Sequence, residues 1–219
     1  MKIFDGLYFF PWNNPSANNC NACLIEGDKK ILVDPGHYHL FNHVKDELGR
    51  LSLMPQDIDM VIITHGHPDH MEGLRVFEDT PTVIAISSLE MDFIKRVAPH
   101  YGEALGIPHF EPDILLQDGS LKMGNVHLQV IHTPGHSPGS ICLYWPEKKV
   151  LITGDVIFKE GVGRTDLPGG NGNELKESIL KLSKLDVEVV LPGHMGPILG
   201  KEAVENNFRA IEDYWFAYI

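Results

Sequence analysis

The stretch Thr64-His65-Gly66-His67-Pro68-Asp69-His70 places three histidines and an aspartate within six residues. Imidazoles and carboxylates set this close repel one another and lose solvation unless something organises them. A divalent cation does so, because imidazole nitrogen and carboxylate oxygen suit zinc, iron and manganese. The apolar, β-branched run Met60-Val61-Ile62-Ile63 directly precedes the cluster and reads as a buried strand. The cluster therefore lies where a hydrophobic strand ends. Four further side chains repeat that arrangement. Asp34 follows Ile31-Leu32-Val33, and His136 follows Val130-Ile131-His132-Thr133-Pro134-Gly135. Asp155 follows Val150-Leu151-Ile152-Thr153-Gly154, and His194 follows Val189-Val190-Leu191-Pro192-Gly193. Flanking glycines let backbone come close to a site. Strands lying side by side would bring such ends to one place. A single histidine near a turn is ordinarily a surface or hydrogen-bonded residue, so the weight rests on the ordered set.

Positioning these residues requires a regular framework. Strands are expected at 3–4 and 7–10, and at 20–26 and 30–33 as a hairpin through Gly27-Asp28. Others are expected at 60–63, 82–86, 121–123, 126–132, 140–145, 150–153 and 187–191. Helices are expected at 39–50, where Leu40, Phe41, Val44 and Leu48 have amphipathic spacing, and at 73–78. Another is expected at 87–97, behind the capping-box pattern Ser87-Ser88-Leu89-Glu90, with two more at 173–182 and 201–218. Residues 11–19 read as loop, and 98–113, rich in proline and glycine, as irregular chain bordering a cleft. Strands lead and a helix follows in each half, with no linker-like stretch between. The pattern predicts two packed sheets with helices outside, an α/β layered architecture, as one domain over 1–219.

Composition narrows the function classes. A net charge of −12 argues against a nucleic-acid partner and an anionic membrane surface. The first ten residues hold no sustained apolar run, so neither a signal peptide nor a membrane span is expected. Cys20, Cys23 and Cys142 are too few, and odd in number, for a disulfide framework, which points to a reducing, cytoplasmic setting. Cys20 and Cys23 have no second pair to join and read as two small buried thiols. Of the twelve histidines, His37, His39, His43, His100, His109 and His127 read as structural or solvent-exposed. His132 reads as a neighbour of the site.

The pattern H-x-H-x-D-H at 65–70, followed by distant His136, Asp155 and His194, is similar to the signature of the metallo-β-lactamase superfamily. The resemblance runs from Asp34 to His194. It implies a four-layer αββα sandwich with metals at one edge between the sheets. It implies one cation on His65, His67 and His136, a second on Asp69, His70 and His194, and Asp155 bridging them. Asp34 would support the metal loop without binding metal. Two divalent ions are expected, zinc first, with iron or manganese also suited. Two cations about 3.5–4 Å apart hold a water between them and lower its pKa toward neutrality. The resulting bridging hydroxide attacks a carbonyl or phosphorus, with no serine or cysteine nucleophile. Asp69 is the candidate to accept a proton during that step.

The stretch Gly161-Val162-Gly163-Arg164-Thr165-Asp166-Leu167-Pro168-Gly169-Gly170-Asn171, with Thr133 to Ser140, resembles the glyoxalase II-like branch. Its members hydrolyse thioesters, typically S-lactoylglutathione. The related persulfide dioxygenases also carry a Gly-Arg-Thr-Asp stretch but use a single iron. Arg164 falls where glyoxalase II places a cationic residue against glutathione, and a guanidinium suits a carboxylate there. Pairing with Asp166 to hold the loop is the other role open to it. Full-length glyoxalase II has a C-terminal helical domain with basic residues. Here 25 residues follow His194, ending Tyr214-Trp215-Phe216-Ala217-Tyr218-Ile219. That tail has no basic cluster, so the resemblance leaves the thiol open. Its aromatic end reads as a helix on the core or as a homodimer contact. The expectation is a dinuclear metal-dependent hydrolase acting on a small acyl-thioester, the alternative a mononuclear iron dioxygenase acting on glutathione persulfide.

Overall fold

The fold, taken from a computed structural model, is described for residues 1–105 and 110–219, and for side chains outside 98–109. The strands are β1 (Lys2–Phe4), β2 (Leu7–Phe10), β3 (Ala22–Glu26), β4 (Lys30–Val33), β5 (Met60–Ile63), β6 (Val83–Ser87), β7 (Ile114–Leu116), β8 (Gly119–Met123), β9 (Val126–His132), β10 (Ile141–Trp145), β11 (Val150–Gly154), β12 (Ile157–Phe158), β13 (Gly161–Val162), β14 (Val189–Pro192) and β15 (Ile198–Leu199). The first seven form one sheet in chain order. A second runs β15-β14-β11-β10-β9-β8, and β12 pairs with β13 as a small ribbon. The helices are α1 (Asn42–Arg50), α2 (Pro68–Met71), α3 (Ser88–Leu105), α4 (Gly172–Leu182) and α5 (Lys201–Tyr214).

Alternation along the strands creates four layers. Met60 and Ile62 of β5 join Leu128, Val130, Leu143 and Ile152 of the second sheet in an apolar layer between the sheets. Their neighbours Val61 and Ile63 join Val44 and Leu48 of α1 and Met91 and Ile94 of α3. On the far side Leu151 and Val190 join Leu175 and Ile179 of α4 and Val204 and Ile211 of α5. Burial on both faces explains why β5 reads as an unbroken apolar run. This is the expected αββα sandwich.

Strand direction decides where the polar residues emerge. β4 and β5 are parallel, so Asp34 and His65 leave the first sheet at the same end. β11 and β14 are parallel, so Asp155 and His194 leave the second sheet together. β9 and β11 are both antiparallel to β10, and His136 therefore follows at that end too. The ends meet across two facing sheets rather than along one. Ile141 N donates to Thr64 O at 3.0 Å and Asn21 N to Gly193 O at 2.7 Å, which ties the sheets at this edge.

Several expectations are corrected. The helix expected at 87–97 runs on to Leu105, so 98–105 is not irregular; proline and glycine counts are a weak prior against context. His100 and His109 lie outside the described side chains. β7, β12, β13 and β15 are short strands without a clear alternating signal. The last helix stops at Tyr214 and continues as a 3₁₀ turn, Trp215–Ala217. Trp215, Phe216 and Ile219 pack on the core around α4 and α5. Tyr214 and Tyr218 are exposed. All three cysteines are buried and free. Among the described residues no helix is long and apolar enough to cross a membrane.

Ile62 is fully buried at the centre of the first sheet. Ile62→Ala is expected to lower unfolding stability by about 2–5 kcal/mol, read as a reduced midpoint in chemical denaturation.

Candidate metal centre

Asp34 ends β4 with a φ of 53°, in the left-handed region that aspartate tolerates better than most side chains. Its carboxylate accepts from Thr64 N at 2.8 Å and from the Thr64 hydroxyl at 2.7 Å. It also lies 2.9 Å from His70 Nδ1. Thr64 Oγ1 lies 3.1 Å from His65 Nδ1. The threonine proton is committed to Asp34, so His65 Nδ1–H donates to the threonine oxygen. His136 Nδ1 donates to the Arg164 carbonyl at 2.8 Å. These contacts hold a proton on Nδ1 of His65, His70 and His136 and turn each Nε2 inward.

The inward nitrogens crowd together. His65 Nε2 lies 3.1 Å from His67 Nδ1 and 3.2 Å from His136 Nε2, and those two lie 2.9 Å apart. Only His67 could carry a proton among these three atoms, so lone pairs face lone pairs. Beside them His194 Nε2 lies 3.4 Å from His70 Nε2 and 3.4 Å from Asp69 Oδ2. Asp155 stands between the groups. Its Oδ1 is 3.2 Å from His70 Nε2, and its Oδ2 is 3.3 Å from His194 Nε2 and 3.6 Å from His136 Nε2. Asp155 Oδ1 is buried without a hydrogen-bond partner among the described residues. A buried carboxylate oxygen left so is costly, and a divalent cation is the partner this donor chemistry fits. His65, His67 and His136 have donor atoms within 4.8 Å of one another. So do Asp69, His70 and His194, and likewise His65, His70 and Asp155. All seven residues singled out in the sequence are thus brought together.

Protons are the alternative countercharge, and they distribute unevenly. Burial, together with neighbouring imidazoles, pushes His65 well below the usual histidine value, and burial takes His67 to about 4 and lowers His136. Burial also opposes a charge on His194, but the hydrogen bonds it donates to the Asp155 and Asp69 carboxylates outweigh that and raise it to about 9. Burial opposes a charge on His70, but its neighbours Cys20, Asp155 and Asp34 outweigh it and raise His70 well above its usual value. Burial would raise the Asp69 carboxyl, yet its contact with His194 and the charge of His70 lower it.

Glu90 and Asn18 complete the site although the sequence did not single them out for it, and Arg164 and His132 lie beside it as the sequence suggested. Glu90, in the first turn of α3, is buried and accepts from Gly66 N at 2.7 Å, Gly139 N at 2.8 Å and the Ser137 hydroxyl at 2.8 Å. One carboxylate therefore joins the loop of His65 and His67 to the loop of His136. Its sequence signal was only the capping box. Gly139 is required here, because a Cβ would lie 2.0 Å from Glu90 N. Asn18 Nδ2 donates to Asp69 Oδ2 at 2.8 Å. Arg164 is bound through its own side chain to Asp166, at 2.7 and 2.8 Å in a two-pronged pair. His132 Nε2 lies 2.8 Å from Pro138 O, beside the His136 loop. The site opens into a cavity of about 530 Å³ with His67, Asp69, Asp155 and His194 among its lining residues and Phe93, Ile94, Val97, Phe158, Val162 and Leu167 as apolar wall.

A family model for the metallo-beta-lactamase superfamily matches residues 16–194. A hydroxyacylglutathione hydrolase of Haemophilus influenzae is 32% identical over 199 residues, spanning 86% of this chain and 92% of that protein. A metallo-beta-lactamase family protein of Thermus thermophilus has a TM-score of 0.81 at 25% identity, over 99% of this chain and 81% of that one. A protein solved in a di-iron-bound form has a TM-score of 0.68 at 29% identity, over 82% and 89% of the two chains.

Were the centre to take two cations, the uneven protonation would set the order of their loading. His65, His67 and His136 are already neutral near pH 7, whereas His70 and His194 carry protons that a cation must displace. Titration of chelator-stripped protein with zinc in weak buffer should release more protons with the second equivalent than with the first. Lowering the pH from 8 to 6, further below the His194 value of about 9, should weaken the second equivalent first. Equal proton release in both steps would rule this order out.

Proposed function

The chain belongs to the metallo-β-lactamase superfamily, and from that premise we propose that it is a dinuclear hydrolase of the glyoxalase II-like branch, cleaving a small acyl-thioester. The superfamily assignment makes it a metal-dependent hydrolase. The observation that carries the paired centre is Asp155, which lies within 3.6 Å of donors from both sets, His136 of the first and His70 and His194 of the second. A carboxylate so placed would help to hold a cation in each set. We assign His65, His67 and His136 to one, and Asp69, His70 and His194 to the other. The neighbour solved with two irons supports paired occupancy and keeps iron beside zinc and manganese. When bound, such a pair supplies a water of lowered pKa as nucleophile and a Lewis acid for the carbonyl.

The chain's own residues do the rest. Asp34, through Thr64 and His70, holds two imidazoles in the tautomer that binds. Asp69 Oδ2, fixed by Asn18, is the position assigned to take up a proton during the step. Phe93, Ile94, Val162 and Leu167 keep water from the reacting carbonyl and receive the apolar portion of the substrate. The thioester reading is supported by the Gly161–Asn171 loop and by the similarity to the Haemophilus hydrolase. The Arg164 guanidinium is exposed and lines the cavity, so it can exchange Asp166 for a substrate carboxylate.

Elemental analysis of protein purified without chelators should give two equivalents of zinc, iron or manganese per chain, and a panel of acyl-thioesters should then show turnover. One equivalent of iron that no added metal increases, with oxygen consumed on glutathione persulfide, would replace this reading by the dioxygenase. Asp34→Asn should lower metal affinity or activity by about 10–100-fold while the far-ultraviolet spectrum stays native. Unchanged metal affinity and activity in that variant would remove Asp34 from the positioning role.

A further inference from the structure

A fourth donor set lies apart from the centre. His37, His39 and Glu72 offer two imidazole nitrogens and a carboxylate oxygen within 4.8 Å of one another, and the set shares no residue with the seven above. His37 Nδ1 is 2.9 Å from Glu72 Oε2. The His37 and His39 rings are 5.0 Å apart between centroids. Ring separations within the main centre run from 4.1 Å for His65 and His70 to 5.4 Å for His70 and His194. The outlying pair is therefore as close as imidazoles that face a common point.

The two segments that carry these donors are fixed to each other. His37 follows Gly36, and its backbone N–H donates to Asn19 Oδ1 at 2.7 Å. Gly73, next to Glu72, donates to Gly36 O at 2.7 Å, and Gly36 donates to His70 O at 3.3 Å. A Cβ on Gly73 would lie 2.8 Å from Pro35, so the segments are in direct contact. His39 sits in the 3₁₀ turn Tyr38–Leu40 and Glu72 opens the 3₁₀ helix Glu72–Phe77. Only the His39 side chain is exposed, which leaves an open side for water.

We propose that His37, His39 and Glu72 form a second, independent binding site for a divalent transition-metal ion. Two nitrogens and one oxygen suit zinc, copper(II) or nickel, and disfavour magnesium and calcium, which prefer all-oxygen shells. The site would be solvent-accessible and separate from hydrolysis. A plain hydrogen bond between His37 and Glu72 is the simpler role for the same contact, and the two differ in metal stoichiometry.

The test compares the full chain with His39→Ala and Glu72→Gln after equilibrium dialysis against zinc alone, with metal per chain read by elemental analysis. Each variant should hold one equivalent less than the unaltered protein, with hydrolytic activity unchanged. The same loss of one equivalent should persist when the substitutions are made on Asp155→Ala, whose main centre is impaired. The difference is independent of how many ions the main centre holds, so it stands or falls apart from the hydrolase reading. Equal metal content in the unaltered protein and both variants would overturn the site and leave only the hydrogen bond. His39 is exposed, so its replacement leaves the core intact.

Discussion

The Asp34 carboxylate is 2% exposed, and the order of the site depends on the bonds it makes. A buried carboxylate is costly unless hydrogen-bonded. Asp34 meets that demand with the backbone and hydroxyl of Thr64 and with His70. The same three contacts decide which nitrogen of His65 and His70 points inward. Were Asp34 absent, both rings could rotate or exchange protons, and the convergence of lone pairs would disappear. The conformation this requires, a left-handed aspartate at a strand end, is a modest strain held in place by two sheets.

A site made from mutually repelling groups needs a frame that does not relax. The apolar layer between the sheets and the two outer layers provide most of it. At the edge itself the frame is polar. Asn21 links the first sheet to Pro192 O at 2.9 Å and Met195 O at 2.8 Å, and Glu90 links the loops from both sheets. Burial raises the Glu90 carboxyl, and its three hydrogen bonds oppose that shift. Glu90 therefore acts as a clamp whose strength depends on complete bonding. Gly66 and Gly139 allow the clamp to close, because a Cβ at either would collide with α3.

Much of this was legible in the sequence because local pattern and site chemistry coincide. Each of the seven residues follows a β-rich run or sits in the loop after one, and strand direction then sends them to one edge. The central strands were readable from continuous apolar character, and β9 from alternation. What the sequence did not reveal are contacts that join distant loops. Glu90 looks like a helix-capping residue, and its spacing from Gly66, Ser137 and Gly139 has no periodic signature. Asn18 lies in a stretch that reads only as loop, and Asn21 in one that reads only as strand. β12, β13 and β15 are two residues each, too short for a period-2 signal. The His37 and His39 pair gave no signal because its third member, Glu72, comes from a different segment.

Arg164 shows how one loop divides its work between backbone and side chain. Its carbonyl accepts from His136 Nδ1, so the backbone of the loop sets the tautomer of a buried imidazole. Its guanidinium is exposed and held by Asp166 at the surface. A Cβ at Gly163 would lie 1.8 Å from Asp155 O, so the loop must begin with glycine to come this close. The first role demands a rigid backbone and tolerates any side chain at 164. The second demands an arginine and tolerates motion, because exposed ion pairs are weak and screened by salt. A two-residue spacing from Arg164 to Asp166 satisfies both, since the pair fastens the loop at its exposed surface. On the proposed reading, a change of side chain at 164 would alter substrate selection without disturbing the buried donor geometry, which is fixed by Asp34, Glu90 and the Arg164 carbonyl.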